Sequence, residues 1–164
     1  MAKAGAPARS DDLYHEDFYV WTRQQSELLR AGRFAELDLP HLVEEIEDLG
    51  TSQRKEVFSR TQQIIRHLLK LHHSASAEPR QNWRRSVRDQ RDELELALTP
   101  SLRRELEASL AIRYERARRA ALDDLAEHGE RSIDVPVTCP YTIEQILDRE
   151  WLPANRHGIQ DHPL

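Results

Sequence analysis

The segment "HLVEEIEDLG", residues 41–50, places four carboxylates (Glu44, Glu45, Glu47 and Asp48) within five positions and then a glycine. Carboxylates at that density could hold a metal ion or run acid–base chemistry. Helical spacing narrows the choice. With Leu42, Ile46 and Leu49 as the buried face, Glu44 points nearly opposite, Glu47 and Asp48 face outward, and Glu45 sits at the edge of the apolar stripe. A di-iron centre in a helical bundle needs inward glutamates and Glu-x-x-His pairs on facing helices. The chain contains no Glu-x-x-His, only the reversed His41-x-x-Glu44. The ordinary alternative is a solvated face with Glu45 paired to a neighbouring arginine.

Histidines supply the other metal candidates. His67, His72 and His73 gather near the end of the same apolar run, where imidazolium would suit the negative end of a helix dipole. His67 and His72 are five apart, so they do not form the i, i+4 pair of a helical metal site. Glu44, Glu45, His67 and His72 are the metal candidates, and any such site needs further ligands from another helix. No motif implies a cofactor. Cys139 precedes Pro140 with no base nearby in sequence; it reads as a small buried residue rather than a nucleophile.

Two basic constellations remain. Arg60 and His67 lie two turns apart on one side of a helix, with Gln63 between. The pair resembles the Arg-x(4–6)-His signature of the HEPN superfamily of small helical ribonucleases. That resemblance would make His67 a general acid–base and Arg60 a phosphate clamp; an arginine–carboxylate pair beside a helix-edge histidine is the structural alternative. The run "NWRRSVRDQR" offers Trp83, Arg84, Arg85 and Arg88 for stacking and phosphate contact. Equally, Trp83 can be core and the arginines can pair with Asp89, Asp92 and other acids.

The elements that must position these residues are helical. Charged residues reach 32%, apolar residues only 38%, and glycine is scarce at five, a helix-rich composition in which apolar residues still recur at helical spacing. A first helix is expected from Asp12 to Ala31, capped by Asp11 or Asp12 and stopped by Gly32. Asp38 should cap the next, from Pro40 to about His73, whose apolar phase survives Gly50 and so favours one long helix. On that path Glu45 and His67, 22 residues apart, are separated by about 33 Å; a turn at Gly50 would instead fold the acids back toward Arg60. "SASAEPRQ" is a loop, Asn82 caps a further helix, and Thr99-Pro100 opens another that runs to Gly129. Thr142 starts a short last helix. The expected architecture is all-α: a helical bundle of about four long helices plus a short C-terminal one, with no sheet. The expected organisation is a disordered 1–11, a single helical domain over 12–153 and a flexible tail over 154–164.

Bulk properties bound the function. A single cysteine rules out an internal disulfide or a multi-cysteine zinc site. No apolar run approaches the ~20 residues of a membrane span, and the first residues lack a secretory core, so a cytoplasmic location is expected. A net charge of −5 gives no general nucleic-acid footprint. The charge is uneven, however. Residues 34–58 hold seven acids against Arg54 and Lys55, and residues 80–119 hold eleven arginines against seven acids.

The landmarks, in order, resemble the bacterial family catalogued as "domain of unknown function 29". They are "DFYVWT" (17–22), "LDLPHLVEEIEDLG" (37–50), "RHLLK" (66–70), "NWRRSVRDQR" (82–91), "PSL" (100–102) and "CPYTIEQIL" (139–147). The resemblance spans about residues 12–153 and implies an all-helical bundle with no established activity. "LHH" at 71–73 departs from the family, which more often has an aromatic and a glutamine there. Two functional classes follow. The first is a non-catalytic interaction module that binds itself as a homodimer or takes a protein partner. The second is an RNA-cleaving or toxin–antitoxin-related protein using Arg60 and His67.

Overall fold

The computed structural model describes residues 10–130 and 134–160, with side chains from residue 13 onward. Among them every regular element is a helix, as the all-α expectation requires. In chain order these are α1 (Ser10–Glu16), α2 (Phe18–Arg30), a 3₁₀ turn (Phe34–Glu36), α3 (Leu39–His73), α4 (Arg80–Ala97), α5 (Pro100–Ala108), α6 (Leu110–Glu127) and α7 (Ile143–Leu147). No helix among the described residues is long and apolar enough to cross a membrane. The expected disordered N-terminus falls almost entirely outside the described residues, as does the end of the expected tail.

Local chemistry sets the boundaries, and it divides two of the expected long helices. Asp17 adopts a non-helical conformation (φ −148°, ψ 81°), and its carboxylate accepts the Val20 N–H at 3.0 Å. That N-cap separates α1 from α2, because an aspartate bonding the backbone locally competes with helix continuation. Ser109 divides α5 from α6 by the same competition, its Oγ donating to the Glu105 carbonyl at 2.8 Å. Thr99 caps α5 with Pro100 at the first position. Thr142 and Gln145 form a reciprocal capping box on α7. Gly32 and Gly129 stop α2 and α6 with left-handed φ of 69° and 87°. Helix α4 starts at Arg80 after Pro79 rather than at an Asn82 cap.

Helix α3 runs 35 residues through Gly50 without a break. Its Asp38 cap is present: the carboxylate accepts from the His41 backbone. The chain forms two compact units, residues 1–51 and 52–164, and α3 contributes its first turns to one and the remainder to the other. In the second unit Val57, Ile64, Ile65, Leu68 and Leu71 of α3 are wholly buried, with Val87, Leu94, Leu106, Ala121 and Ile146 around them.

Buried charge in the second unit is spent on backbone groups. Arg91, 2% exposed, donates to the carbonyls of Ile146, Gln145 and Trp151, each at 2.9 Å, and so receives the end of α7. Arg80 donates to the Leu71 carbonyl at 2.7 Å, and Asn155 Nδ2 to the Leu71 and Ser74 carbonyls at 2.9 Å. These are orphan acceptors at the C-terminus of α3.

Candidate functional site

In the first unit, α2 and the opening turns of α3 enclose a groove of about 420 Å³, floored by Trp21 and Gln25 and walled by Phe18, Leu29, Ile46 and Leu49. A polar network fixes its floor. The Trp21 indole N–H donates to Asp38 Oδ2 at 3.1 Å, the Asp38 backbone N–H donates to Gln25 Oε1 at 2.9 Å, and His41 Nδ1 lies 2.8 Å from Asp38 Oδ2. Burial opposes charge on Asp38, but the hydrogen bonds from His41 and Trp21 prevail and hold its carboxyl below the usual range. Aromatic rings brace the same end: Tyr14 stacks on His41 with centroids 3.9 Å apart and meets Trp21 edge-on at 4.9 Å.

The four carboxylates divide as their spacing predicts. Glu45 is half-buried and lines the groove, while Glu44, Glu47 and Asp48 are exposed. The partner of Glu45 is not an arginine: the Tyr14 hydroxyl donates to Glu45 Oε1 at 2.6 Å. That bond, with desolvation and the negative charges of Glu45, Glu44 and Asp48, pushes the Tyr14 phenol up to about 12.

The apolar stripe behaves differently from expectation. Ile46 is 66% and Leu49 72% exposed. Periodicity identifies the stripe correctly, but within residues 13–51 only α1 and α2 are available to cover it, and α2 leaves its Phe18–Leu29 edge open as well. Of the twelve exposed large hydrophobic side chains among the described residues, nine lie between Phe18 and Leu49.

The other predicted residues have separate settings. Arg60 is held by Glu56 at 2.8 Å, Gln90 at 3.2 Å and Glu93 at 3.5 Å. His67 has a buried Nδ1 with no partner; desolvation, then the charges of Lys70 and Arg66, lower it to about 4. At neutral pH it is an uncharged imidazole. His72 Nδ1 lies 3.3 Å from the Tyr141 hydroxyl, and burial followed by the Arg156 charge lowers it. Among the described residues no three His, Cys, Asp or Glu side chains gather as a metal-holding group.

Trp83 is 8% exposed, with Lys70 Nζ 4.8 Å from its ring centroid, so its face is already occupied. Arg84 is half-buried, whereas Arg85 and Arg88 are exposed on α4. Lys70 and Arg66 both donate to Asp124, Lys70 at 2.7 Å. Sequence reasoning missed that triad and the Trp21–Asp38–Gln25 network alike: in each, an i, i+4 pair (Arg66 and Lys70, or Trp21 and Gln25) meets an aspartate on another segment, which no spacing rule supplies.

Comparison with known proteins adds one match. The family model described as "Domain of unknown function DUF29" covers residues 13–152. No curated protein and no solved structure matches the chain significantly.

Proposed function

Because the chain belongs to the DUF29 family, whose description names no activity, we propose from geometry that it is a non-catalytic interaction module whose first unit docks a basic amphipathic helix of a protein partner. The observation that carries this is the open groove between α2 and α3, flanked by four exposed apolar side chains. Exposed apolar surface concentrated in one place marks an interaction face more often than chance scatter does. A groove between two helices suits a third helix, which would insert residues at i, i+3, i+4 and i+7.

Charge selects the occupant. Residues 13–51 carry nine acids against Arg23, Arg30 and Arg33, and Arg33 is already bonded to Glu36. A two-fold homodimer through this face would set one acidic rim against its copy, which electrostatics disfavours. A helix with lysine or arginine beside its apolar stripe would pair with Glu44, Glu47 and Asp48 instead. The RNA-cleaving alternative draws less support: Arg60 is engaged by carboxylates and an amide, and His67 is weakly basic.

A designed fourteen-residue leucine/lysine amphipathic helix tests the reading against its leucine/glutamate counterpart. The expected result is that the basic peptide binds and moves the Trp21 indole N–H resonance, leaving Trp83 and Trp151 in place, and that Ile46→Asp with Leu49→Asp abolishes binding. Equal binding of the acidic peptide, or binding that survives the double substitution, would overturn the proposal. A dimer in sedimentation that Ile46→Asp dissociates would assign the face to self-association.

A further inference from the structure

A different pocket, in the second unit, is built from cations. Helix α3 contributes Arg54 and Lys55 and helix α6 contributes Arg113 and Arg116 to a recess of about 360 Å³ around the edge of Phe58. The spacing explains the convergence. Residues 54, 55, 58, 59 and 62 share one face of α3, and residues 113 and 116 share one face of α6. Phe58 is 3% exposed because two guanidinium groups cover it, Arg54 at 4.6 Å and Arg113 at 4.3 Å from its centroid. Cation–π contact with this one ring fixes the two arginines without neutralising either.

The charge is under-compensated. Glu105 bonds Arg54. Lys55 and Arg116 make no hydrogen bond or ion pair among the described residues, and Arg113 Nε is buried without an acceptor. Desolvation, followed by repulsion from Arg116 and Arg54, lowers the Arg113 guanidinium. Nearby acids are already engaged, Glu56 with Arg60 and Glu115 with Arg119. A buried guanidinium N–H without an acceptor is uncommon in a folded protein and calls for an anion.

We propose that the Arg54–Lys55–Arg113–Arg116 pocket binds a dianionic phosphate, either free or as the monoester of a small molecule. Three cations without acid partners exceed what one carboxylate or one phosphodiester can neutralise. A monoester carries close to two negative charges and three acceptor oxygens. Those oxygens match the Arg113 guanidinium, the Arg116 fork and Lys55, with Ser59 and Gln62 also lining the recess. A nucleic-acid strand would need cations continued along a track, whereas here they line a single recess.

The test is titration of the full chain, in low-salt phosphate-free buffer, with phenyl phosphate, inorganic phosphate, dimethyl phosphate and a ten-nucleotide oligouridylate. Saturable binding of phenyl phosphate or inorganic phosphate, with movement of the Arg113 Nε–H resonance, is expected. Arg116→Gln and Lys55→Gln should each weaken it by about tenfold or more, the effect of one charge-assisted contact. Arg85→Gln, on α4, should leave it unchanged. The ratio of the two affinities separates the sources: tighter phenyl phosphate assigns a small organic monoester, and equal or tighter inorganic phosphate assigns the free ion. Both pocket substitutions are at exposed positions, and unaltered melting curves will establish that they fold. Absence of saturation, equal binding of dimethyl phosphate, tighter binding of the oligouridylate, or an equal loss in Arg85→Gln each overturns the site.

Discussion

Residues 1–51 and residues 52–164 solve the problem of hydrophobic burial in opposite ways. Among the described residues, the first region buries two large apolar side chains, Trp21 and Leu28, and leaves nine exposed; the second buries nineteen hydrophobic side chains and leaves Leu96, Ile112 and Val137 exposed. Their charge differs in parallel. The first carries eleven acids against five basic residues, and the second eighteen against nineteen. In the second region even the buried cations have work inside the fold, with Arg91 on three close carbonyls and Lys70 on Asp124. The first region spends its polar network on holding one groove open and shaped. The exposed apolar side chains of the first region are what the proposed partner would cover; the buried ones of the second region are packed into its own core.

The comparison breaks first if the buried charges of the second region prove dispensable. Arg91→Met strands the carbonyls of Gln145, Ile146 and Trp151 at and beyond the end of α7, and Asp124→Asn leaves Lys70 without its anion. Each should cost about 3 kcal/mol in chemical denaturation, and a loss under about 1 kcal/mol would mean those contacts are ornamental. Leu68→Ala, at a wholly buried site, should cost a comparable ~3 kcal/mol. In the first region, Asp38→Ala removes the acceptor of Trp21 and His41 and should cost about 1–2 kcal/mol, with early loss of hydrogen-exchange protection in α2.

Acidification should find the second region before the first. His67 and His73 are both lowered from 6.5 to about 4, in each case mainly by burial. Between those values the unfolded chain binds protons that the folded chain refuses, so stability is intact above about pH 6.5 and falls as pH drops toward 4. The loss should be on the order of 1 kcal/mol per histidine after solvent screening. Denaturant midpoints measured from pH 7 to pH 4 will show it, and His67→Gln should flatten the slope. A flat profile in the unmodified protein would show that neither imidazole is held neutral by the fold.

The smallest effects sharpen the contrast. Ile46→Asp with Leu49→Asp should change stability by no more than about 0.5 kcal/mol, since both side chains are already in water. A large loss would mean that something in the chain covers them. Gly50→Ala should stabilise by about 0.5–1 kcal/mol, because the residue is helical and an added Cβ meets no atom within 4 Å.

Caps and periods were legible in the sequence because they are short-range. Thr99-Pro100, Thr142, Gly32 and Gly129 each act within four residues, so their types declare their roles. Of the two missed breaks, Asp17 caps with its side chain as Thr99 and Thr142 do, whereas Ser109 bonds back to the preceding turn; both sit inside apolar phases that continue across them, and the longer signal masked the shorter one. The candidate sites were legible only in part. The half-buried position of Glu45 follows from its angle on the helix; its bond to Tyr14 joins residues 31 apart and follows from nothing local.

The sequence by itself determined that this chain is all-helical, where most helices begin and end, and which face of each is apolar, because those properties depend on neighbours three and four residues away. Whether an apolar face is covered depends instead on which helices stand opposite it. So does whether cations distant in sequence, Arg54 and Arg113 among them, share one aromatic ring. Packing alone decided that Ile64 and Leu68 became core while Ile46 and Leu49, on the same helix, remained exposed.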